Sequence, residues 1–449
     1  MKKVFRILSM LLALSCLLGT AALAETPVFL WEADRIADLY ATDQLVVVYM
    51  KGQGYGVATP AGEIAINLEH YSLNDIECAP GFVISSIDSD DVHRQSLLSP
   101  TGAVLTVELY ADITMFSEKW FAGFILKETA GDTVDYFGTD KDYLIERVDI
   151  YHIENGKVAS LTRDQYYRVE AYGDYLLTLD RANNLQLHDS QFNPVESAFQ
   201  YFGDDEFHVV SKGLTRGLFS RITGEQIATG YSKVDNVLHN GTRIVVYSEP
   251  TQGWGMIDRE GNAVIPCQKG IDFYKMGDSR YVKFTENGTY GTFGLYDMET
   301  GKLVVPCAYN SFLSADYEHF NFYGYFAVEK DGKVGYVDEN GTVTVDLAYN
   351  KDDVKVLGCT MLKESNGVYT IIAADGVVTT LDGITAVQTS GNYASLGRYL
   401  IVKNADGMWG IINWHGETVV DFTARYENYF NFIDATHFVY DSKFMYEIK

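Results

Sequence analysis

Ten short turns recur along the chain at nearly even intervals, and nine of them are centred on glycine. They are Ala61-Gly62-Glu63, Thr101-Gly102-Ala103, Asn155-Gly156-Lys157, Asn193-Pro194-Val195, Thr223-Gly224-Glu225, Glu260-Gly261-Asn262, Thr300-Gly301-Lys302, Asn340-Gly341-Thr342, Asp375-Gly376-Val377 and His415-Gly416-Glu417. Gly261, Gly301 and Gly341 follow one another at steps of 40 residues, and Gly376 and Gly416 are again 40 apart. A constant period of this size is typical of repeat proteins, in which each unit buries its apolar face on its neighbours. We therefore expect an array that displays a surface, not a fold built around one deep catalytic pocket.

The residues between these turns have the pattern of β-strands. A run rich in β-branched and aromatic residues, such as Tyr281–Glu286, leads through a short turn such as Asp331-Gly332 into a second run. The glycine-centred turn and a third run follow, and no helical periodicity of useful length occurs after residue 24. The sequence therefore predicts an all-β fold of tandem units of about 40 residues, each an antiparallel sheet of three or four strands.

The second run of each unit carries an aromatic residue followed by glycine. A glycine beside a large ring leaves space for a neighbouring ring or backbone, while the ring itself buries a large area. The pair is present in Trp254-Gly255, Phe293-Gly294, Trp409-Gly410 and Tyr55-Gly56, whereas Val334-Gly335 lacks the ring and Val368-Tyr369 lacks the glycine.

The run Trp254-Gly255-Met256-Ile257-Asp258, continued through Gly261 to Ile265-Pro266, resembles the WG-repeat family, which is named for its Trp-Gly pair. The resemblance is strong over residues 243–422 and degraded over residues 44–242. It implies a bacterial secreted or envelope protein without an assigned function, and it supplies no catalytic residue. We divide the chain into a processing segment (1–24), degraded repeats (25–242) and well-formed repeats (243–449), the last two forming one continuous array.

The two ends of the array look like parts of one unit. Residues 438–440 and 444–446 resemble a hairpin without its closing strand, and residues 27–31 resemble a strand without its hairpin. A closed propeller often pairs its first and last strands in one blade. We favour propeller-type blades. Because about eleven units exceed the usual 4–8 blades, two rings or an open β-solenoid remain alternatives.

The N-terminus has the features of a secretory signal peptide. Lys2, Lys3 and Arg6 precede an apolar stretch over residues 7–18, and Ala22-Leu23-Ala24 is a small-residue cleavage signature. We predict cleavage after Ala24, a secreted or cell-envelope location, and no transmembrane segment afterwards. A lipoprotein anchored at Cys16 is disfavoured, because the residues before it fit a lipobox poorly.

The acidic charge limits the partners. The formal net charge is −26, and it becomes −29 without Lys2, Lys3 and Arg6. Such a surface repels nucleic acid and anionic lipid. The expected partner is a protein, a peptide or an envelope glycan, and nucleic acid is excluded.

Four cysteines follow residue 24: Cys78, Cys267, Cys307 and Cys359. An even number in a secreted chain suggests disulfides, and Cys267 and Cys307 occupy equivalent positions of adjacent repeats. Equivalent positions of neighbouring sheets usually lie beyond the Cα separation of about 7 Å that a disulfide tolerates. We therefore expect buried free thiols.

Motifs for chemistry are missing from the sequence. No two of the nine histidines lie within four residues of each other, and no HExxH, nucleophile elbow or P-loop is present. The glycine-rich segment 52–56 lies between two strand-like runs and is predicted to be a hairpin. Segments 88–91 and 204–206 are acidic but lack the spacing of an EF-hand loop. We predict no catalytic, cofactor-binding or metal-binding residue and name no ligand-binding residue.

Three other features have both a functional and a purely structural interpretation. The acidic or amide residue before four of the turns is expected to cap its turn, with a carboxylate ladder as the alternative. The crowded C-terminal rings are expected to pack in the core, with an exposed sugar-binding row as the alternative. A polar insertion over residues 128–147 is expected to be a tolerated surface loop, with a loop on a binding face as the alternative. The capping residues are Asp258, Asp297, Asp338 and Asn413, and the rings are Tyr426, Tyr429, Phe430, Phe432, Phe438 and Tyr440.

These observations favour a secreted, non-catalytic β-repeat protein that acts as a binding or scaffold module on the cell envelope. An extracellular hydrolase with carboxylates in a central pocket is the first alternative. A structural component of an envelope assembly, joined through open strand edges, is the second.

Overall fold

The computed structural model describes residues 25–38, 45–75, 82–89, 92–126, 145–203, 205–212, 215–238, 241–276, 280–286, 291–314, 320–389 and 397–449. Over these residues it contains forty-two β-strands in eleven separate antiparallel sheets. The helices described are single turns of three residues, Arg163–Gln165, Lys351–Asp353 and Glu427–Tyr429. Within this part of the chain, none of them has the length and hydropathy needed to span a bilayer.

The sheets follow one another in chain order, and we number them as blades 1 to 11. Strand β1, which belongs to the last blade, is Pro27–Glu32. Blade 1 contains β2 (Arg35–Asp38), β3 (Val46–Met50), β4 (Gly54–Ala58) and β5 (Ile64–His70); blade 2 contains β6 (Ser72–Asp75), β7 (Val83–Ser89) and β8 (Val92–Leu98); blade 3 contains β9 (Asp112–Met115), β10 (Trp120–Leu126), β11 (Ile145–His152) and β12 (Gly156–Thr162); blade 4 contains β13 (Arg168–Tyr172), β14 (Tyr175–Leu179), β15 (Leu185–His188) and β16 (Pro194–Val195); blade 5 contains β17 (Phe207–Lys212), β18 (Thr215–Ser220) and β19 (Gln226–Thr229).

The second half has the same meander in every blade. Blade 6 contains β20 (Lys233–Leu238), β21 (Arg243–Ser248), β22 (Gly253–Ile257) and β23 (Ala263–Lys269); blade 7 contains β24 (Ile271–Tyr274), β25 (Tyr281–Glu286), β26 (Phe293–Asp297) and β27 (Leu303–Tyr309); blade 8 contains β28 (Ser311–Leu313), β29 (Tyr325–Lys330), β30 (Lys333–Asp338) and β31 (Val343–Asn350); blade 9 contains β32 (Val354–Val356), β33 (Thr360–Ser365), β34 (Val368–Ala373) and β35 (Val378–Leu381); blade 10 contains β36 (Ile384–Val387), β37 (Tyr399–Asn404), β38 (Trp409–Asn413) and β39 (Thr418–Ala424); blade 11 contains β40 (Phe430–Phe432), β41 (His437–Tyr440) and β42 (Phe444–Ile448), with β1 as its fourth strand.

The middle strands of a blade are buried on both faces. In β21, the consecutive residues Ile244, Val245 and Val246 are all buried. Side chains alternate between the two faces of a strand. Accordingly, Ile244 and Val246 pack with side chains of blade 5, whereas Val245 packs with side chains of blade 7. Continuous apolar runs in this chain therefore mark sheets that are covered on both sides, as in a stack of blades.

The apolar clusters between blades form a closed series. Among the described residues there are eleven clusters, and each joins one blade to the next in chain order. The cluster that completes the series places Ile36 and Val48 of blade 1 against Val439 and Met445 of blade 11. The blades therefore form a β-propeller of eleven blades, and the prediction of propeller-type blades is confirmed over the open solenoid.

Pairing between the first and last strands closes the ring. In blade 11, β1 runs antiparallel to β42, with Pro27 opposite Ile448 and Glu32 opposite Phe444. Two further backbone hydrogen bonds join Thr26 and Lys449, at 2.9 and 3.1 Å. The predicted combination of a terminal hairpin with a lone first strand is thus confirmed.

In blades 6 to 10, the glycine of the turn before the fourth strand also lies against the preceding blade. Gly341 has a φ of +76°, and a Cβ atom on it would lie 2.6 Å from the carbonyl oxygen of Val304 in β27. Gly301 lies against the Val264 carbonyl oxygen of β23 in the same way, with a φ of +69°. The period of the glycines therefore reflects two requirements, a left-handed turn and close contact with the fourth strand of the neighbouring blade.

The glycine of the aromatic-Gly pair has a different role. In blade 8, Val334 pairs with Tyr349 and Tyr336 pairs with Val345, so Gly335 lies opposite a bulge in β31. A Cβ atom on Gly335 would meet the backbone of Asp346 at 3.0 Å. The same register shift occurs opposite Gly56, Gly255, Gly294 and Gly410. Bulges of this kind leave the chain little room beside the glycine, so the expected close backbone approach is confirmed.

Blade 9 shows what happens without this glycine. Thr370 stands six residues before Gly376, where Gly335 stands before Gly341. Strand β34 pairs regularly with β35, with Thr370 opposite Thr380 and without a bulge. Glycine and bulge are thus lost together.

A carboxylate contact adds to the ring closure. Glu25 lies just before β1, and its carboxylate is 3.4 Å from Arg398 Nη2 and accepts hydrogen bonds from Tyr399 Oη (3.2 Å) and Asn413 Nδ2 (3.2 Å). All three donors belong to blade 10. They attach the start of the described chain to the blade that precedes the closing sheet.

The structure refines the predictions for the polar insertion and for the cysteines, and each prediction falls partly outside the described residues. Of the insertion over 128–147, residues 128–144 lie outside them, but β11 already begins at Ile145, so Arg147 is a strand residue rather than a loop residue. Cys267, Cys307 and Cys359 are free thiols, and only Cys359 of these is fully buried, whereas Cys78 lies outside the described residues. Cys267 packs beside Gly255 at the bulge of its own blade, which leaves it partly exposed.

We expect Gly301→Ala to destabilise the protein more than Gly224→Ala. The two glycines have φ values of +69° and +70°, but a Cβ atom on Gly224 meets nothing within 4 Å, whereas one on Gly301 meets the backbone of Val264. The left-handed conformation costs an alanine about 1 kcal/mol at both positions. The clash adds about 2 kcal/mol at Gly301 alone. Urea denaturation measures the difference, and equal midpoints for the two variants would contradict the contact.

We expect Asn413→Asp to loosen the ring closure without removing the turn cap. Asn413 Oδ1 accepts the N–H groups of His415 and Glu417, which an aspartate also accepts, but the Nδ2 donor to the carboxylates of Glu25 and Glu417 is lost. Loss of a hydrogen bond to a charged group should raise amide exchange in β1 roughly five- to tenfold. Asp338→Asn, the reverse exchange at the same position of blade 8, is the control and should leave exchange in β1 unchanged.

Candidate functional site

The residues predicted to cap the turns do so. Asp258 accepts hydrogen bonds from the Asn262 backbone N–H (2.7 Å) and Nδ2 (2.9 Å), and Asp338 accepts the backbone N–H groups of Asn340 and Thr342, both at 2.8 Å. Asp297 and Asn413 hold their turns by the same pattern. Each side chain holds the turn of its own blade, and only Asn413 among the four also reaches a residue outside its blade, Glu25, so the structure does not assemble them into one site.

The pKa values of these carboxyl groups fit this role. Partial burial would raise the pKa of Asp258 and of Asp338, but the turn hydrogen bonds outweigh it and the net shift is downward. For Asp297, burial is likewise outweighed by hydrogen bonds from Arg280, Glu299 and Thr300, which lower the pKa to about 2. All three carboxylates are ionised at neutral pH and serve as hydrogen-bond acceptors.

The acidic segments do not form a cation site in the part of the chain that the structure describes. Glu206 of segment 204–206 accepts two hydrogen bonds from the Arg259 guanidinium, at 2.7 and 2.9 Å, and so joins blades 5 and 6. Asp90, Asp91 and Asp204 lie outside the described residues. No group of three or more metal-ligating side chains occurs among the described ones.

A buried charged network lies between blades 2 and 3. The Asp149 side chain in β11 is fully buried and accepts four hydrogen bonds: from Ser160 Oγ (2.7 Å), Tyr110 Oη (2.8 Å), Arg147 Nη2 (2.9 Å) and Lys157 Nζ (2.9 Å). Tyr110 Oη also lies 2.5 Å from Tyr151 Oη. Three of these hydrogen bonds end on Oδ2 and one on Oδ1, so both carboxylate oxygens are bound by the protein itself.

The electrostatics of this network are those of a structural ion cluster. Burial acts to raise the pKa of Asp149, but hydrogen bonds from Ser160, Lys157, Tyr110 and Arg147 lower it to about 2. Burial and the hydrogen bonds to Tyr151 and Asp149 raise the pKa of Tyr110 far above its ordinary value. A carboxylate with so low a pKa cannot act as a general acid at neutral pH. The network fixes blade 3 against the segment that enters it.

Most of the C-terminal rings are core residues. Phe430, Phe432 and Phe438 are buried in the cluster between blades 10 and 11. Tyr429 packs partly against this cluster, and its ring centroid lies 5.8 Å from that of Tyr440. Tyr426 alone of the predicted set is strongly exposed, at 60%. The core interpretation is thus confirmed for this group, and the rings do not form an exposed row.

A second aromatic group, not predicted from the sequence, lies where blades 8, 9 and 10 meet. We call it the blade 8–10 cluster, and it consists of Tyr323, Tyr325, Asp375, Arg398, Trp414 and His415. The ring centroids of Tyr325 and Trp414 are 6.2 Å apart, although one residue belongs to blade 8 and the other to blade 10. Trp414 packs partly against the core between blades 8 and 9, so it reaches across blade 9. The cluster is half-exposed and combines rings with charged groups.

Polar contacts hold the cluster together. His415 stacks on Trp414 with a centroid distance of 4.9 Å, and its Nε2 lies 2.8 Å from Asp375 Oδ2. The Arg398 guanidinium lies over the ring of Tyr323, 5.7 Å from its centroid. Burial raises the pKa of Tyr323 to about 12, so its phenol is neutral at physiological pH. The cluster therefore contains a carboxylate and an imidazole in one pair and a guanidinium in the other.

Tyr323 has an unfavourable backbone conformation. It forms a two-residue turn with Gly324, and the φ values of the two residues are +55° and +87°. The hydrogen-bonded pair Phe322 and Tyr325 closes this turn, with N–O distances of 2.8 and 3.1 Å. Hairpin turns with two positive φ values strongly prefer Asn-Gly or Asp-Gly, and another residue costs about 1 kcal/mol or more. The chain uses Asp331-Gly332 and Asn366-Gly367 at two similar turns, with first φ values of +50° and +54°.

Sequence reasoning missed this cluster because its members are distant along the chain. Tyr325 and Trp414 are separated by two complete repeats, and only the stacking of three blades brings them together. The one local signal was Tyr323-Gly324, an aromatic residue at the first position of a glycine turn.

The fold defines the class of this protein as a β-propeller with eleven antiparallel blades. The model of the WG containing repeat family matches residues 254–268 and 293–333, which lie in blades 6 to 8. These residues therefore match the WG containing repeat, and the resemblance to the WG-repeat family is confirmed there. A search of curated proteins finds no match to the sequence.

Three solved structures are similar to the chain at low sequence identity. One is a eukaryotic initiation factor, with 11% identity, a TM-score of 0.35, and coverage of 84% of this chain and 94% of the other. The computationally designed Ika8 protein has 12% identity and a TM-score of 0.23, with coverage of 78% and 98%. BamB from Moraxella catarrhalis has 11% identity and a TM-score of 0.21, with coverage of 86% and 98%. At these TM-scores the similarities carry no conclusion about this chain.

We expect Asp149→Asn to lower stability at neutral pH and to flatten the acid limb of the stability profile. The pKa of Asp149 in the folded protein, about 2, lies below its ordinary value. Its contribution is therefore fully present above the ordinary pKa and is lost as the pH falls toward 2, and it amounts to about 2 kcal/mol. Denaturation midpoints between pH 2 and pH 7 measure it. Asp180→Asn at an exposed turn is the control. If the denaturation midpoint changes by the same amount between pH 7 and pH 2 in both variants, the assignment is refuted.

Proposed function

We propose that this protein is a secreted, non-catalytic binding module, which holds a protein, peptide or glycan at the cell envelope. The blade 8–10 cluster is the observation that carries the proposal. It joins half-exposed rings to a carboxylate, an imidazole and a guanidinium across three blades. Exposed aromatic residues and arginine are the side chains that most often dominate binding energies at interfaces.

Export is supported by the N-terminal sequence. A basic start, an apolar stretch and Ala22-Leu23-Ala24 are the three parts of a signal peptide. The net charge of −26 supports a partner that is neutral or basic.

The carboxyl groups favour binding over hydrolysis. Among the described residues, each Asp or Glu with a clear shift has a lowered pKa, as in Asp149, Asp297 and Glu329. A hydrolase that uses two carboxyl groups needs one with a raised pKa to act as the acid. The extracellular hydrolase therefore remains the second candidate.

Assembly through open strand edges is disfavoured by the fourth strands. Pro266 lies in β23 and Pro306 lies in β27, and each of these strands also carries a bulge. Proline and bulges on an edge strand prevent pairing with another chain. Binding through side chains fits this surface better than strand addition.

A pull-down with the chain starting at residue 25, from the surface fraction of the cell that produces it, tests the function. We expect a specific surface component to be retained. If nothing is retained while the protein hydrolyses a glycan or peptide panel, the hydrolase replaces the binding module. Mass spectrometry of the exported protein tests the location, and a mature N-terminus at Glu25 is the expected result.

A further inference from the structure

We propose that the blade 8–10 cluster is a saccharide-binding site for a neutral oligosaccharide. This inference deepens the proposed binding function and rests on it. It assigns both the place of the site and the chemical class of the ligand.

The arrangement of the rings is the first step. Tyr325 and Trp414 stand at an interplanar angle of 58°, and His415 stacks on Trp414 at 21°. Tyr323 lies on the other side, beneath the Arg398 guanidinium, and 39% of its surface is exposed. The cluster thus has rings on the facing sides of blades 8 and 10, above the short turn that joins β32 and β33 of blade 9.

The backbone at Tyr323 is the second and independent step. Among the described residues, Tyr323 and Phe192 are the aromatic residues with a positive φ, at +55° and +65°, and the two turns most similar to that of Tyr323 begin with Asp331 and Asn366. A residue held in an unfavourable region persists where the surrounding structure fixes it, and such residues concentrate at ligand sites. The side chain of Tyr323 is partly exposed, whereas Phe322 beside it is fully buried. The exposed part of this ring is held at a fixed position beneath the Arg398 guanidinium.

The chemistry of the polar groups identifies the ligand class. A sugar ring presents an apolar C–H face, which packs on an aromatic ring, and hydroxyl groups at its edge, which need both donors and acceptors. Asp375 and His415 provide acceptor and donor on one side, and Arg398 provides donors on the other. These groups are partly exposed, with exposed side-chain fractions of 28%, 33% and 40%. They are therefore within reach of a ligand while they hold one another in place.

Charge selects a neutral saccharide. The formal net charge of −26 opposes the approach of polyanionic glycans. Arg398, the cation of the cluster, already lies 3.4 Å from the Glu25 carboxylate, so its charge is compensated within the protein. A neutral oligosaccharide is not repelled by the negative charge of the protein.

Calorimetric titration of the chain starting at residue 25 with cellohexaose, chitohexaose and maltohexaose tests the proposal. Tyr323→Asn removes the ring and installs a residue that favours the turn, so this variant should fold at least as well as the parent. We expect one of the three sugars to bind, and its affinity to fall about three- to tenfold in Tyr323→Asn. Tyr426→Asn, which removes a ring that is 60% exposed outside the cluster, is the matched control and should bind like the parent.

The fluorescence of Trp414 provides a second readout. Binding should change the tryptophan emission of the parent, and Trp414→Phe should abolish most of that change. Failure of all three sugars, or equal weakening in Tyr323→Asn and Tyr426→Asn, would overturn the saccharide site. If a peptide from the pull-down binds instead and loses affinity in Tyr323→Asn, the ligand class is wrong but the binding module stands. If the pull-down also retains nothing, the proposed function itself fails.

Discussion

Every blade of this protein has two apolar faces, and each face must be covered by another blade. Ile244, Val245 and Val246 in one strand pack alternately on blades 5 and 7, which no two-layer sandwich would allow for a single sheet. A linear stack would leave the first and last faces in water. Contact between Ile36 and Val439 removes both exposed faces at once. Closure of the ring is therefore required by burial, since burying a single valine or isoleucine side chain contributes about 1.5–3 kcal/mol.

The two recurrent glycines follow from the same stacking. The turn glycine has to accept a left-handed conformation while the carbonyl of the preceding blade occupies the place of its Cβ, as Gly301 does at Val264. The glycine after the aromatic residue faces a bulge, as Gly335 does in blade 8. Blade 9 has Thr370 instead and regular pairing, so this glycine is needed only where the fourth strand is bulged. The glycines of the repeat thus mark places where the backbone of another strand or blade lies close. Where a blade lacks the glycine, as blade 9 does, that close contact is absent.

Local patterns predicted the strands, the turns and the caps, because each of these depends on residues close in sequence. The closing pair of strands was predicted because the first strand lacks a hairpin and the terminal hairpin lacks a closing strand. The blade 8–10 cluster depends on three blades stacking in a ring, so no pattern near Tyr325 points to Trp414. The Asp149 network was also missed, since its partner Tyr110 is 39 residues away and enters from the segment before the blade. Asn413 was recognised as the one amide among the caps, and its Nδ2 donates within the turn to Glu417, but its second acceptor, Glu25, is visible only after the ring closes.

Arg398 connects the closure of the ring to the candidate site. Its Nη2 lies 3.4 Å from the Glu25 carboxylate, and its guanidinium lies over Tyr323. Partial burial acts to lower its pKa, but Tyr399 and Glu25 outweigh this effect and the net shift is upward. The arginine is therefore a fixed cation that needs the residue before β1 as its counter-ion. Without the closing segment, the guanidinium would lose that carboxylate and would be free to leave the tyrosine ring. The cluster is thus complete only in the closed propeller, so the candidate site depends on the pairing of the first and last strands.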